Sequence, residues 1–564
     1  MIDSSVMLNH LITAYKYQSI ILLSLLIGVG FKIWLIISNY LPFNADEAVV
    51  ALMARHILGG ERPIYFYGQS YMGSLDAYLV AGGFALFGQK VSVIRAVQVL
   101  LYIFTILTTS YLATRISRTP LSGALAASLM AIPNVNMSLY TSVSLGGYGE
   151  MLLIGNLILI TAIKLGEQIQ QSFEQSIVWL WLLLGFLIGL GFWVFNLTLV
   201  YSVPAYLYLI RGIWKYIRHP DRKQGLTSLK NALTKWLFAS GIGLLLGAVP
   251  CLIFILQAGL QGMLKELSGS AIAGVEKLPW ISLIPRRIIN TAVLGMSAAV
   301  GLRPPWEVRW LALPLAPLAL ATWTGSAIHA YSDLKRAPLS NIDNNKNNIL
   351  FFGVVITLLA GFTFTPFGAD PSGRYFLPVS IILVLFAAHW LVELGEMIGN
   401  KIWLICFGIS LFHIWGTLEA IKSPPGGLTT QFDAVTWIDH SKDEELIQFL
   451  SENNLTRGYS NYWVTYPLAF LSGERLIYLP RLPYHPDFRY TSRDDRYKPY
   501  QVLVAQADRI AYITTKHPDL DDYLREKFSL KGITWKEVRI GDYQIFFQLT
   551  QVVSPEELGL IDEN

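Results

Sequence analysis

The chain carries little charge and almost no cysteine. Only 15% of its 564 residues are Asp, Glu, Lys or Arg, where an ordinary soluble domain carries about 25%. That excludes a typical soluble enzyme. Its two cysteines, Cys251 and Cys406, both fall in apolar runs. This excludes a disulfide framework and a thiolate metal site, and leaves both as small packing residues. The net charge of +4 is too small to imply a nucleic-acid partner. There is no internal repeat and no low-complexity tract. The opening stretch MIDSSVMLNHLITAYKYQ lacks the short basic region and small-residue cleavage site of a signal peptide. It reads as a cytoplasmic tail, with Lys16 just before the first span.

What the chain has is apolar length. Hydrophobic residues make up 53% of it, and the mean hydropathy is +0.44. Several runs approach or exceed the ~20 residues a spanning helix needs. Spans are predicted near 19–40, 91–113, 120–136, 149–165, 177–195, 197–211, 236–257, 309–331, 349–367, 375–397 and 402–421. Stretch 287–302 is too short to count and reads as a re-entrant or surface helix. Basic residues crowd one loop: Arg211, Lys215, Arg218, Arg222, Lys223, Lys230 and Lys235, with Asp221 among them. Arg115 and Arg118 mark a second loop, and Lys335, Arg336 and Lys346 a third. Eleven spans with the N-terminus inside put all three groups in the cytoplasm, as the positive-inside rule requires. Segments 41–90, 137–148, 258–308 and 368–374 then lie outside, with everything after Trp415.

Ser423-Pro-Pro-Gly-Gly427 reads as a linker. Beyond it, strand-like runs at Arg457–Trp463, Arg475–Leu479, Arg509–Thr514 and Tyr543–Leu549 alternate with helical ones such as Pro518–Phe528. The expected fold is therefore a membrane all-α bundle of about eleven transmembrane helices over 1–421. Amphipathic helices occupy its first outer loop, and a soluble extracytoplasmic α/β domain covers 428–564.

The first outer loop holds the most specific signal. Asn44-Ala-Asp-Glu47 has the form of a helix start, with Asn44 able to cap and Glu47 able to reach back to it. Asp46 sits in the first turn, where the helix dipole favours an anion. Ala48, Val49, Leu52, Met53 and Ile57 supply an apolar face opposite Arg55 and His56, which suits a helix lying on the bilayer surface. Gly59-Gly60 ends it. Capping and dipole complementarity alone explain both acids. However, the loop continues through Pro63–Tyr71 with three tyrosines, and long ordered loops are usually functional.

Two further stretches stand out. Thr141-Ser-Val-Ser-Leu-Gly-Gly-Tyr-Gly-Glu150 ends on an acid that opens an apolar helix. Asp370-Pro-Ser-Gly-Arg-Tyr-Phe-Leu-Pro378 places Arg374 at the mouth of a span. On the residues alone, Arg374 is either a phosphate contact or an interfacial arginine reaching to headgroups. Arg286 and Arg287, beside Pro279-Trp280, carry the same two readings, as does Arg303-Pro-Pro-Trp306. Arg55, Tyr67, Gln69 and Tyr71 are candidates to line an acceptor or sugar groove, since sugars use aromatic faces and amide hydrogen bonds; interfacial packing is the alternative reading, more so for Tyr71 than for Gln69. Arg457–Pro467 is dense in aromatics and hydroxyls, suited either to a carbohydrate or to packing on the membrane part. His389 and His413 lie in apolar spans, where a histidine usually bonds within the bundle. No His/Cys ligand cluster is visible in the spacing. A carboxylate-and-water site for Mg²⁺ or Mn²⁺ stays open.

The order of one span, Asp-Glu, Ala-Arg, a Gly and Pro turn, then a Tyr/Gly-rich segment resembles the first outer loop of the C-type (GT-C) membrane glycosyltransferases. The nearest branches are the protein O-mannosyltransferases and the aminoarabinose and galacturonic-acid lipid transferases. The resemblance covers roughly 20–165 and 370–380. It implies an inverting transfer of a sugar from a polyprenyl phosphate to a glycan, lipid or protein acceptor at the outer face of a bacterial plasma membrane, with no required cofactor. By position Asp46 becomes the catalytic base and Glu47 its partner. Glu150 takes the second acidic position, where the family usually has Asp. Arg374 and Tyr375 match the Arg-Tyr-x-x-Pro element, as donor-phosphate contacts; Arg286 and Arg287 lie outside the stretches that carry the resemblance and keep their two readings. Two rival classes remain: a transporter or flippase, which would place ionisable groups near the midplane, often in repeated halves, and a non-catalytic glycan-assembly protein.

Overall fold

The computed structural model describes residues 4–171, 177–218, 226–267, 280–336, 346–423, 426–431 and 434–560. Asp221, Arg222 and Lys223 of the basic loop, Pro279, and Pro424 and Pro425 of the linker lie outside the described residues. The first part of the chain runs α1 (Ser4–Ile37), α2 (Ala45–Leu58), β1 (Tyr65–Phe66), β2 (Gln69–Gly73), α3 (Leu75–Phe87), α4 (Val91–Ser117), α5 (Pro120–Ala131), α6 (Val135–Tyr140), α7 (Tyr148–Gln171), α8 (Val178–Val194) and α9 (Leu199–Ile217). It continues through α10 (Leu226–Gly247), α11 (Val249–Leu267), α12 (Trp280–Asn290), α13 (Ser297–Ala299), α14 (Ala316–Arg336), α15 (Lys346–Phe364), α16 (Leu377–Ile398) and α17 (Ile402–Lys422).

Each of the eleven stretches read as spans overlaps one of these helices. Among the described residues, six helical stretches are long and apolar enough to cross a membrane, with Arg374–Lys422 counted as one. The pair Lys230–Gly247 and Val249–Leu264, bent by 62°, makes a seventh, and Leu75–Phe87, Pro120–Ala131 and Val178–Val194 are shorter apolar helices. The chain is a multi-pass membrane protein. The stretch read as 309–331 is displaced to α14, because Ala312 takes a left-handed backbone and the helix starts only after Leu313–Leu315. The stretch 120–136 divides at Ile132-Pro133, where a proline ends α5 and Asn134 caps α6.

The C-terminal part holds α18 (Asp443–Glu452), β3 (Arg457–Ser460), α19 (Tyr462–Leu471), β4 (Ile477–Pro480), α20 (Pro499–Ala505), β5 (Ala511–Thr515), α21 (Pro518–Leu530), β6 (Lys536–Ile540) and β7 (Tyr543–Phe547). Its sheet has the order β4-β3-β5-β7-β6. The first three strands are parallel, and β5, β7 and β6 are antiparallel. One predicted strand shifts here and one strand is new. The strand expected over Arg457–Trp463 stops at Ser460, because Asn461 caps α19 by accepting from the Trp463 N–H at 3.0 Å. The charged edge strand β6 has too little alternation to be read from sequence. It is held by a tight turn whose Gly541 has φ of 56°.

The sheet domain sits on the end of the bundle that carries α2, and α19 packs directly on α2. The Leu428 N–H also donates to the Tyr40 carbonyl at 2.7 Å. This corrects the expectation of an α2 exposed on a bilayer surface. Residues 47–54 are all buried, and Ile57 is buried as well. The polar face is covered by the second domain, so the helix is enclosed rather than floating.

Candidate active site

Asp46 occupies the first turn of α2. The cap is as read: the Glu47 N–H donates to Asn44 Oδ1 at 3.2 Å. Glu47 does not reach back to Asn44, however. The Asn44 amide instead donates to Thr430 Oγ1 at 2.8 Å. Thr430 donates in turn to Asp46 Oδ2 at 3.3 Å, and the Tyr462 hydroxyl donates to Asp46 Oδ1 at 2.7 Å. The partly exposed carboxylate is thus gripped by two hydroxyls supplied from beyond the bundle. Such donors fix the orientation of a carboxylate.

Glu47 points the other way, into a buried pair with Arg95 of α4. Arg95 Nε and Nη2 donate to its two oxygens at 3.2 and 3.0 Å. Both side chains are almost fully buried, at 6% and 1% exposure. Glu150, the second acidic position of the resemblance, lies against Asp76 of α3. Asp76 accepts from Gln98 at 2.9 Å, from Ser144 at 2.6 Å and from the Gly146 N–H at 3.1 Å. Apart from the Asp76 carboxyl, no other residue among those described bonds the Glu150 oxygens. Glu47, Asp76 and Glu150 therefore form a buried acidic shelf behind α2, with Arg95 as the cation of the Glu47 pair. The Thr141–Gly149 loop over this shelf is pinned by Lys32, which donates to Thr141 O, Thr141 Oγ1 and Ser142 Oγ at 2.8, 2.7 and 2.9 Å.

Arg374 enters from a short 3₁₀ turn ahead of α16. Gly373 makes the approach possible: its φ is 77°, and a Cβ there would lie 2.5 Å from that of Ala298. Arg374 Nη2 pairs with Asp370 Oδ2 at 2.5 Å. Its Nε has no hydrogen-bond partner among the described residues. Tyr140, Tyr148 and Tyr375 surround the guanidinium. Tyr375 is buried against Phe367 and Phe195, at ring separations of 5.2 and 6.5 Å, so it packs beside the cation.

Tyr71 and Tyr140 link the two candidates. Each hydroxyl lies within electrostatic reach of Asp46, Asp370 and Arg374, and Tyr71 also of Arg496. Residues 46 and 374 thus converge on one tyrosine-lined centre. Gln69, with its carbonyl turned to Arg496, accepts from Nη1 and Nη2 at 2.9 and 2.8 Å, and its amide donates to the Tyr71 hydroxyl at 3.2 Å. Arg496 also lies over the Tyr462 ring at 5.3 Å. Burial pushes the neighbouring Asp494 carboxyl up to about 7; Arg496 opposes the shift and Asp46 adds to it. A cleft of about 1000 Å³ opens beside Arg95, between the loop after α1, the start of α4 and the C-terminal domain, lined in part by Phe43 and Trp437.

Other candidates fall elsewhere. Arg55 does not line this centre; it bonds Gln89 Oε1 at 2.7 Å, the Phe470 carbonyl at 3.0 Å and Glu474 at 3.4 Å. Tyr67 donates to Glu61 at 2.7 Å and stacks on Tyr497 at 5.0 Å. Both hold the sheet domain on the bundle. Arg287 is buried and donates to the Thr363 carbonyl at 3.3 Å, while Arg286 is exposed on α12. Arg303 is spent on backbone carbonyls, including Leu294 at 2.9 Å and Glu307 at 3.1 Å, so its role is to clip loops. His413 bonds the Ile132 carbonyl at 2.6 Å, within the bundle as expected.

Several residues escaped the sequence reading. Arg95 and Asp76 had a usable signal, since an ionisable group inside an apolar helix calls for a partner. Tyr462 lies in the aromatic stretch already singled out. Thr430, Asp494 and Arg496 carry no local signal; only the docking of the second domain brings them in.

The overall fold is shared with solved structures of the GT-C fold. The chain superposes on the crystal structure of ArnT from Cupriavidus metallidurans bound to undecaprenyl phosphate, with a TM-score of 0.54 and 11% identity, covering 96% of this chain and 99% of that one. The apo form of the same protein gives 0.53 at 11% identity, with coverages of 92% and 97%. The Archaeoglobus fulgidus oligosaccharyltransferase AglB, in complex with an inhibitory peptide and a dolichol-phosphate, gives 0.49 at 15% identity, with coverages of 89% and 69%. No protein-family model matches the chain, and no curated protein sequence matches it.

Proposed function

We propose that the chain is an inverting glycosyltransferase that moves a sugar from a polyprenyl-phosphate donor to an acceptor at the outer face of the plasma membrane. The observation that carries this reading is the meeting of Asp46 and Arg374 around Tyr71 and Tyr140. A sugar transfer of this kind needs an anion to take a proton and a cation to receive a leaving phosphate, and the centre supplies one of each.

In this reading the acceptor hydroxyl gives its proton to Asp46 as its oxygen attacks the anomeric carbon. The bond from that carbon to the phosphate oxygen breaks, and the polyprenyl phosphate leaves with the electron pair. Arg374 stabilises the charge growing on the phosphate. Tyr462 and Thr430 hold Asp46 in place, and Asp370 holds Arg374. One base and one stabilised leaving group suffice for an inverting displacement, without the covalent intermediate of retaining glycosidases. Glu47 and Glu150 act from behind as positioning residues. Arg286 and Arg287 take no part in this step, and Gln69 sets the position of Arg496. The fold likeness to a protein crystallised with undecaprenyl phosphate favours the same lipid class as donor carrier.

The test is turnover of a panel of radiolabelled polyprenyl-phosphate sugars by the purified chain with added acceptor extract. Release of free polyprenyl phosphate equal to the sugar transferred supports the reading and names the sugar. A folded chain that moves intact lipid-linked sugar between leaflets without breaking the sugar–phosphate bond would establish the transporter reading instead.

A further inference from the structure

At the other end of the bundle, two helices each present a histidine and a carboxylate one turn apart. His329 and Asp333 lie on α14, and His389 and Glu393 on α16; one ligand atom from each falls within 4.8 Å of the other three. We propose that these four side chains form a binding site for a divalent transition metal of the zinc class, which fastens α14 to α16. The proposal is independent of the glycosyltransferase reading.

The i, i+4 spacing puts each pair on a single helix face. Two neutral imidazoles and two carboxylate oxygens make an N₂O₂ donor set that suits tetrahedral zinc. Ligand atoms about 2.0–2.1 Å from such an ion lie about 3.3 Å from one another. The distances match: His329 Nδ1 to Asp333 Oδ2 is 3.3 Å, His389 Nε2 to Asp333 Oδ2 is 3.4 Å, and His389 Nε2 to Glu393 Oε1 is 3.5 Å. His329 Nε2 lies 2.9 Å from Glu393 Oε2. The two His389 separations are long for N–H···O bonds and right for atoms sharing a cation.

A supporting contact fixes the orientation of His389. The Ser117 hydroxyl at the end of α4 donates to Ser122 Oγ at 3.0 Å. Its oxygen is therefore left to accept, and His389 Nδ1 lies 3.0 Å from it. With Nδ1–H donated to Ser117, the neutral ring presents the Nε2 lone pair to Asp333 and Glu393. That is the tautomer a metal ligand needs, held by the kind of outer partner metal-binding histidines have. Three of the side chains are largely buried, at 14–21% exposure, and Glu393 at 48% lies on the rim, which gives an ion a way in. The site shares its end of the bundle with Arg115, Arg118, Lys335 and Arg336. Along α4, Ser117 lies roughly 33 Å from Arg95 at ~1.5 Å per residue, so the site is remote from Asp46.

The experiment is zinc and Co²⁺ titration of the purified full chain in detergent, beside the double variant His329→Ala/His389→Ala and the rim variant Glu393→Gln. The expected result is one equivalent of zinc retained on desalting, visible d–d absorption of four-coordinate Co²⁺, and a melting temperature that rises with zinc for the wild type only. Glu393→Gln should weaken zinc at least tenfold while keeping the fold, so a misfolded double variant still leaves the site testable. Ser117→Ala should weaken zinc about 10–100-fold. Wild type that retains no zinc, or Glu393→Gln that binds it as tightly, would overturn the proposal and leave the group as a cluster of ion pairs.

Discussion

The Tyr462 hydroxyl donates to Asp46 Oδ1 at 2.7 Å across 416 residues of sequence. The candidate base lies in the membrane part and its nearest donor in the sheet domain. The second domain therefore completes the centre and is no mere appendage. Removing this donor by Tyr462→Phe deletes one hydrogen bond to a charged group, worth about 1.5–3 kcal/mol. The expected outcome is a transfer rate about 10–100-fold lower, with a melting temperature lowered by a few degrees at most. It is read by steady-state transfer and thermal unfolding on the same sample.

Arg374→Lys keeps the charge but loses the planar fork. Donor binding should weaken about tenfold, seen as a raised KM for the lipid-linked sugar. Arg374→Ala should go further and lower kcat too, because the charge on the leaving phosphate would be left unmatched. Arg286→Ala should change neither, because Arg286 is exposed on α12.

Glu47 and Arg95 are a buried bidentate pair. Glu47→Gln leaves a buried guanidinium without its counter-charge, a loss of about 3–5 kcal/mol. Glu47→Leu combined with Arg95→Leu should be closer to wild type than either single variant. Thermal unfolding of the four proteins in one detergent checks this. A catalytic role for Glu47 would instead lower activity with no loss of stability.

Asp494 carries a pH signature. Its carboxyl is raised from 3.8 to about 7 in the folded chain. The native state therefore holds a proton that the unfolded chain has released over this range. Stability from this residue is full below pH 3.8 and is lost as pH rises towards 7. Asp494→Asn should flatten that decline. Melting temperatures from pH 4 to about 8 on wild type and variant read it directly.

The parts legible in the sequence were those set by local rules. Apolar length located the helices, and Asn44 and Gly59 marked the bounds of α2. Asp46 and Arg374 were singled out by the two loop stretches, and their proposed roles came only with the family resemblance. What escaped depended on contacts across long separations. Glu47 and Glu150 have the same side chain and comparable helix-start positions, yet one pairs with Arg95 and the other lies against Asp76. No spacing rule separates those outcomes. Arg55 and Tyr67 looked like groove residues because nothing nearby announces Glu474 or Tyr497. His389 read as an ordinary bundle histidine until α14 brought His329 beside it at a ring separation of 5.9 Å. The burial of α2 was missed for the same reason: its cover, α19, lies more than four hundred residues away in sequence.

The most direct test of the account is single-turnover transfer by Asp46→Asn, with donor binding measured on the same protein. The account predicts that the variant binds the polyprenyl-phosphate sugar as tightly as wild type and transfers it at least about 100-fold more slowly, as loss of a general base requires. Transfer at the wild-type rate would contradict it, and would leave Asp46 as an acid that only stabilises the start of α2.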